Sequence, residues 1–262
     1  MREAPTVSSY MTTRVHVIAP DARISEAHTL LREYAFSALP VVDAAGVVLG
    51  VISRTDLLRA GRSLEHTRRG APLLSFDDDC DVARRMTRPA VSVRPDAPLV
   101  DAAASMLERH VHRVLVVDAA GALVGVLSTK DLMAAVRDAR HPALLGDFMS
   151  APVQTVEALD TVAHATDRLN ESGLAGLVVM EDGRPTGLFT QTEALQARDV
   201  PASTAVEEVM SYAMLCLDRG TRMHRAAAHA LATRARRVVV VDRHHVCGVV
   251  TGMDFARALR AR

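Results

Sequence analysis

The residues in this sequence best placed to do chemistry are four polar tetrads. They are Ser53-Arg54-Thr55-Asp56, Ser128-Thr129-Lys130-Asp131, Thr190-Gln191-Thr192-Glu193 and Thr251-Gly252-Met253-Asp254. Each sets a hydroxyl three positions ahead of a carboxylate, after an apolar run and at the start of a helical pattern. Two chemistries suit that spacing. The first is a capping box, in which the hydroxyl accepts from a helix N–H and the acid reaches back to the first residue's N–H, worth roughly 1 kcal/mol. The second is nucleotide contact. A helix start offers free N–H groups and a positive dipole end to a phosphate, and a short carboxylate can hold ribose hydroxyls. The residues alone leave both open. Glu193 suits a cap as well as Asp does, but its longer arm would misplace a ribose contact, so the third tetrad is expected to bind poorly.

The elements that must position the tetrads repeat with them. The tetrads recur at intervals of 75, 62 and 61 residues, and a Met followed by Thr or Ser (Met11, Met86, Met149, Met210) recurs at 75, 63 and 61. After each Met comes a short β-like stretch, then a helical stripe. The stripes are Ile24, Ala27 and Leu31 in the first copy, Leu99, Ala103, Met106 and Leu107 in the second, and Met223, Ala226, Ala227, Ala230 and Leu231 in the fourth. Two apolar runs follow, joined by a turn such as Asp43-Ala44-Ala45-Gly46 or Asp118-Ala119-Ala120-Gly121. The fourth turn, Asp242-Arg243-His244-His245, has no Gly. The expected fold class is therefore α/β, with four β-α-β-β-α repeats arranged as two tandem pairs.

A unit of about 60 residues buries little apolar surface alone, so the copies should pair. Residues 1–139 form the first pair, with repeats about 7–60 and 81–139 and a linker at 61–84 that carries Gly70-Ala71-Pro72 and the acidic Asp77, Asp78, Asp79 and Asp81. Residues 140–262 form the second, with repeats about 145–198 and 204–262 and a junction at His141-Pro142. Each half is expected to fold alone, and single repeats are not.

Composition narrows the function. Lys plus Arg (31) equals Asp plus Glu (31), and Trp is absent. Neither a basic footprint nor a stacking surface for nucleic acid is present. No apolar run nears the roughly 18 residues of a membrane span, and the N-terminal MREAPTVSSYM has charges and a Pro where a signal peptide needs an apolar core. Three cysteines without a CxxC fit a reducing compartment, so a cytoplasmic location is expected. The common phosphate-loop and hydrolase motifs are missing, so no enzyme activity is expected. The residues His244, His245 and Cys247 lack an evident fourth ligand and the acidic run lacks EF-hand spacing, so no metal is assigned.

The Met-Thr start, the Pro-Val-Val-Asp hairpin with its glycines and the closing Ser-x-x-Asp together resemble the cystathionine-β-synthase (CBS) repeat, across essentially the whole chain. The resemblance implies two Bateman modules with ligand clefts between paired repeats. It implies an adenosine-containing effector such as AMP, ADP, ATP or S-adenosylmethionine, with no cofactor required. It makes Ser53, Asp56, Ser128, Asp131, Thr251 and Asp254 ribose and phosphate contacts. It also places phosphate ligands just before the second strand, at His112 and Arg113 and at Arg236 and Arg237, where the first and third copies have the uncharged Ser37-Ala38 and Leu174-Ala175. A side chain near the base falls at Ser92 and Thr155. One good anionic site per pair is the expectation. The four repeats use up the chain, so the effector is expected to be a separate, unidentified protein. Surfaces of such pairs associate side by side, so a homodimer is expected. A ligand-free interaction scaffold is the alternative, and a metal- or redox-responsive protein a more distant one.

Overall fold

A computed structural model of the chain describes residues 4–60, 80–174, 176–243 and 245–261. Residues 61–79, with most of the expected linker and Asp77, Asp78 and Asp79, lie outside the described residues, as do Ala175 and His244.

Repeat one contains α1 (Ile24–Glu33), β1 (Ala38–Val42), β2 (Val48–Ser53) and α2 (Arg54–Ala60). Repeat two contains α3 (Val82–Arg85), β3 (Ser92–Val93), α4 (Leu99–Glu108), β4 (Arg113–Val117), β5 (Leu123–Ser128) and α5 (Thr129–Asp138). Repeat three contains α6 (Leu145–Phe148), β6 (Thr155–Glu157), α7 (Val162–Ser172), β7 (Gly176–Glu181), β8 (Arg184–Thr190) and α8 (Gln191–Gln196). Repeat four contains β9 (Cys216–Asp218), α9 (Met223–Thr233), β10 (Arg237–Asp242), β11 (His245–Thr251) and α10 (Gly252–Arg260).

In repeats two to four the second strand is central, parallel to the first and antiparallel to the third. In repeat one the first strand shrinks to a single bridge, Ile18 to Val41, and Val17 is exposed and unpaired. Repeats one and two both lose the ladder at a proline, Pro20 and Pro95, which has no N–H to donate. Two features correct the expected boundaries. Cys80–Arg84 is not linker: Cys80 and Val82 are buried in the core, and α3 leads into Met86. In the third copy, strand register sets Gly176 opposite Thr190, as Arg113 is opposite Ser128 and Arg237 opposite Thr251. The positions matching Ser37-Ala38 are therefore Ala175-Gly176, one residue later than Leu174-Ala175.

The hairpin turns follow from their Asp. Asp43 Oδ1 accepts from the N–H of Ala45 and Val47, and Asp118 Oδ1 does the same for Ala120 and Ala122, all at 2.9 Å. Gly46 and Gly121 then take φ of 80° and 82°, and in the Gly-less fourth turn Arg243 is at 46°.

Two kinds of interface join the repeats. Within a pair, each repeat lays its Met and the following residue onto the other's third strand. Thr12 bridges Val126 and Thr87 bridges Val51; Ser150 bridges Val249 and Ser211 bridges Leu188. The methionine then covers a glycine of that strand: Met11 on Gly125, Met86 on Gly50, Met149 on Gly248, Met210 on Gly187. A Cβ at any of the four would lie 2.5–2.9 Å from the sulfur.

Between pairs, helices make the core. One buried cluster joins Ile24, Leu31 and Leu57 of repeat one to Val162, Leu169 and Leu195 of repeat three. The other joins Met106, Leu132 and Val136 of repeat two to Met223, Phe255 and Leu259 of repeat four. The apolar stripes read from periodicity point into these clusters, with Leu107 and Leu231 only partly buried at the edge. The helical faces of the two halves thus cover each other within one chain.

Candidate functional site

The second helices of the four repeats meet end to end in two pairs. At the start of α2, Arg54 donates to Thr192 Oγ1 at 2.6 Å, and Thr55 meets Gln191 at 3.0 Å. At the start of α10, Gly252 leaves room for Thr129 of α5. This brings the tetrads, which end the third strands, toward the middle of the molecule.

All four tetrads form the reciprocal cap. Asp56, Asp131, Glu193 and Asp254 each accept from the backbone N–H of their Ser or Thr, at 2.8, 2.7, 3.0 and 2.6 Å, and from its hydroxyl. The second carboxylate oxygen separates them. On Asp56 it accepts from Thr87 Oγ1 at 3.0 Å. On Asp254, only 2% exposed, it pairs with Arg257. On Asp131 it takes no hydrogen bond from any described residue, and burial raises the carboxyl's pKa against the pull of Ser128, Lys130 and Arg113.

The cations gather from three repeats. Arg113 reaches over repeat one and donates to the Ala38 carbonyl at 2.6 Å and to Ser37 Oγ. Ala38 pairs with Ser53 in the hairpin, so this guanidinium lies between the two tetrads of the first pair. Arg237 makes the corresponding move in the second pair. Its guanidinium carbon lies 2.8 Å from where a Cβ on Gly176 would sit, beside Thr190. Arg236 crosses between halves and donates to the Ala35 carbonyl at 2.7 Å. Small residues in repeats one and three thus make room for arginines of repeats two and four.

These charges crowd one another. Burial, then repulsion from Arg236 and Arg54, pushes Arg113 down to about 10. Burial, then Arg236, does the same to Arg54, pushed down to about 10 against the attraction of Glu193. Arg237 is also pushed down to about 10, by burial above all, with Glu193 opposing and Arg236 adding to the fall. His112 is lowered by burial and then by Arg237, Arg113 and Arg236. His112 and Arg236 remain accessible to water although protein surrounds them closely enough to cost them hydration.

Of the residues read from sequence, His112, Arg113, Arg236 and Arg237 come together. Ser53 and Ser128 flank Arg113. Thr251 is the strand partner of Arg237, but Asp254 pairs with Arg257, and the carboxylate whose charge acts on Arg236 and Arg237 is Glu193. Ser92 is exposed and lines a cleft of ≈ 330 Å³ with Ser105, Glu108 and Arg109 of α4, away from any tetrad residue. Thr155 is half-buried at the start of β6, where Arg168 donates to its carbonyl. Cys247 Sγ faces Met149 Sδ at 3.8 Å, and the described residues hold no group of three metal-capable side chains. Sequence reasoning passed over Arg54. It is 7% exposed at the first turn of α2, where the other tetrads carry Thr129, Gln191 and Gly252. An arginine standing where the other copies have small or neutral residues was the available signal.

A model of the CBS domain matches residues 7–63, 80–138, 145–199 and 206–261. The chain belongs to the CBS domain family. Among curated relatives, the uncharacterized protein MJ1404 of Methanocaldococcus jannaschii is 25% identical over 272 residues, spanning 96% of this chain and 61% of that protein. CBSX2 of Arabidopsis thaliana chloroplasts is 33% identical over 149 residues, spanning 50% of this chain and 63% of its own. The chain thus covers less than two thirds of either relative. A crystal structure of CBSX2 is a complex with AMP. In fold, protein MJ1225 of Methanocaldococcus jannaschii superposes with a TM-score of 0.84 at 18% identity, covering 97% of this chain and all of the other. No described helix is long and apolar enough to cross a membrane.

Proposed function

We propose that this CBS protein is a non-catalytic sensor of an adenosine nucleotide and signals to a separate effector protein. The observation that carries the reading is the cationic cluster: Arg54, His112, Arg113, Arg236 and Arg237 act on one another with only Glu193 and Asp131 as opposing carboxylates. Hemmed-in positive charge without equal counter-charge is costly, and an anion relieves it. A phosphate suits planar guanidinium groups, which can grip it through two N–H bonds. S-adenosylmethionine brings a positive sulfonium instead, so the cluster favours AMP, ADP or ATP. Arg113 between Ser53 and Ser128, with His112 beside it, is the proposed phosphate contact. Asp131, with a free oxygen, is the proposed ribose contact, and Asp56 joins it once Thr87 moves aside. CBSX2, which matches half the chain, binds AMP in its crystal structure, and this supports the same ligand class here.

The competing reading is a ligand-free scaffold, favoured by the closed caps and by Asp254, whose two oxygens are both engaged. A thermal-shift series with AMP, ADP, ATP and S-adenosylmethionine separates the two. A ligand at a hundredfold excess over its Kd stabilises by about 2.7 kcal/mol. The nucleotides should raise Tm, less so at high salt because the contact is ionic. S-adenosylmethionine should not. Flat responses to all four would favour the scaffold.

A further inference from the structure

We infer that Glu193 is a resident counter-anion for Arg237, whose guanidinium lies beside the cap that holds this acid. The inference rests on the proposed reading of the arginines as phosphate ligands.

The geometry is specific to this tetrad. Arg237 lies over Gly176, whose strand partner is Thr190. Thr190 is the cap residue whose N–H and hydroxyl hold Glu193 Oε2. Guanidinium and carboxylate are therefore fixed at the same end of the β7–β8 hairpin. With Oε2 committed to the cap, the other oxygen takes no hydrogen bond from a described residue. Arg54 reaches the same place from repeat one, donating to Thr192, the residue before Glu193. In the first half the acid that acts on Arg113 is Asp131, one methylene shorter than Glu193 and likewise held by its cap through a single oxygen. Arg113 donates to a carbonyl and a hydroxyl, both neutral, and the second oxygen of Asp56 is held by Thr87. Asp254 is held by Arg257 and does not serve Arg237. The extra methylene of Glu thus lets a cap residue serve as an internal acid for Arg237.

Glu193→Gln separates the charge from the cap, because Gln supports a capping box as Glu does. The probe is inorganic pyrophosphate, followed by titration calorimetry on the full chain. The variant should bind one more pyrophosphate per chain than wild type, with the added site at least about tenfold tighter than any second-half binding in wild type, as expected for removing a like charge near the anion. The double variant Glu193→Gln/Arg237→Gln should return to the wild-type count. Equal stoichiometry and affinity in wild type and Glu193→Gln overturn the inference, and so does a gain that survives Arg237→Gln. AMP in parallel keeps the two readings apart. Wild type that binds AMP while Glu193→Gln gains nothing refutes the counter-anion alone. A pyrophosphate gain in Glu193→Gln without AMP binding by either protein refutes the nucleotide reading alone.

Discussion

Each tetrad acid gives one oxygen to its own helix, and the neighbour of the other oxygen decides what the residue can do. The cap was legible in sequence because both partners lie within three positions. The reach of Arg113, Arg236 and Arg237 was not, because those side chains cross between repeats. Asp254 reads as the mate of Arg236 and Arg237 along the chain, yet it pairs with Arg257. Small residues at Ala38 and Gly176 carry no mark in sequence that an arginine from another copy will lie over them. A pH dependence follows from His112. Its pKa lies below the ordinary 6.5, so the unfolded chain takes up a proton that the folded state resists. Stability is then retained above 6.5 and falls as pH drops through that value toward the lower, folded one. His28, buried between repeats one and three and also lowered, acts with the same sign. Thermal melts from about pH 7.5 to about pH 5.5 should show falling Tm, with a shallower fall in His112→Gln. A slope unchanged in that variant would remove His112 as a source.

At the scale of elements, the periodic stripes and the hairpin turns were readable because apolar spacing and Asp-led turns are local. The meaning of the recurrent Met was not, because its partner glycine sits in the other repeat of the pair. Each glycine lies where the exchanged methionine approaches from above, and at Gly50, Gly125 and Gly187 a backbone carbonyl of the leader approaches with it, as Met11 and Thr12 do at Gly125. A side chain there must push the leader off. Gly125→Val should cost about 1–3 kcal/mol in urea unfolding, the usual penalty of overpacking. Met11→Ala in the same chain should recover part of that loss, because the sulfur is what the new side chain strikes. Additive losses in the double variant would show that the two positions do not share this contact.

For the whole molecule, sequence reading divided the chain at His141-Pro142, with a core in each half. The two large clusters instead run across the halves, one through repeats one and three and the other through repeats two and four. A lone half would present both helical faces to water. Residues 1–139 and 140–262 made separately should each self-associate or aggregate, and mixing them should give a one-to-one complex of the intact chain's size by light scattering. Stable monomers of either half would show that the sheet contacts suffice alone. Repetition was visible in sequence, but the partner of each copy was not, because four similar units offer several equivalent ways to pair.

The leader exchange and the shared cores have a further effect on the kind of object this is. Repeat one touches two through leaders, two touches four through helices, four touches three through leaders, and three touches one through helices. The circuit closes. In an open array of repeats the end units are distinct, stability grows by near-additive increments, and a unit can be gained or lost at a terminus. A closed circuit of four has no end unit. Deleting any one copy leaves two bare faces of different kinds on opposite neighbours, and inserting one leaves no geometry for closure. Number is therefore fixed by shape in this architecture, and sequence drift is confined to residues within each copy, which is where the four tetrads have diverged.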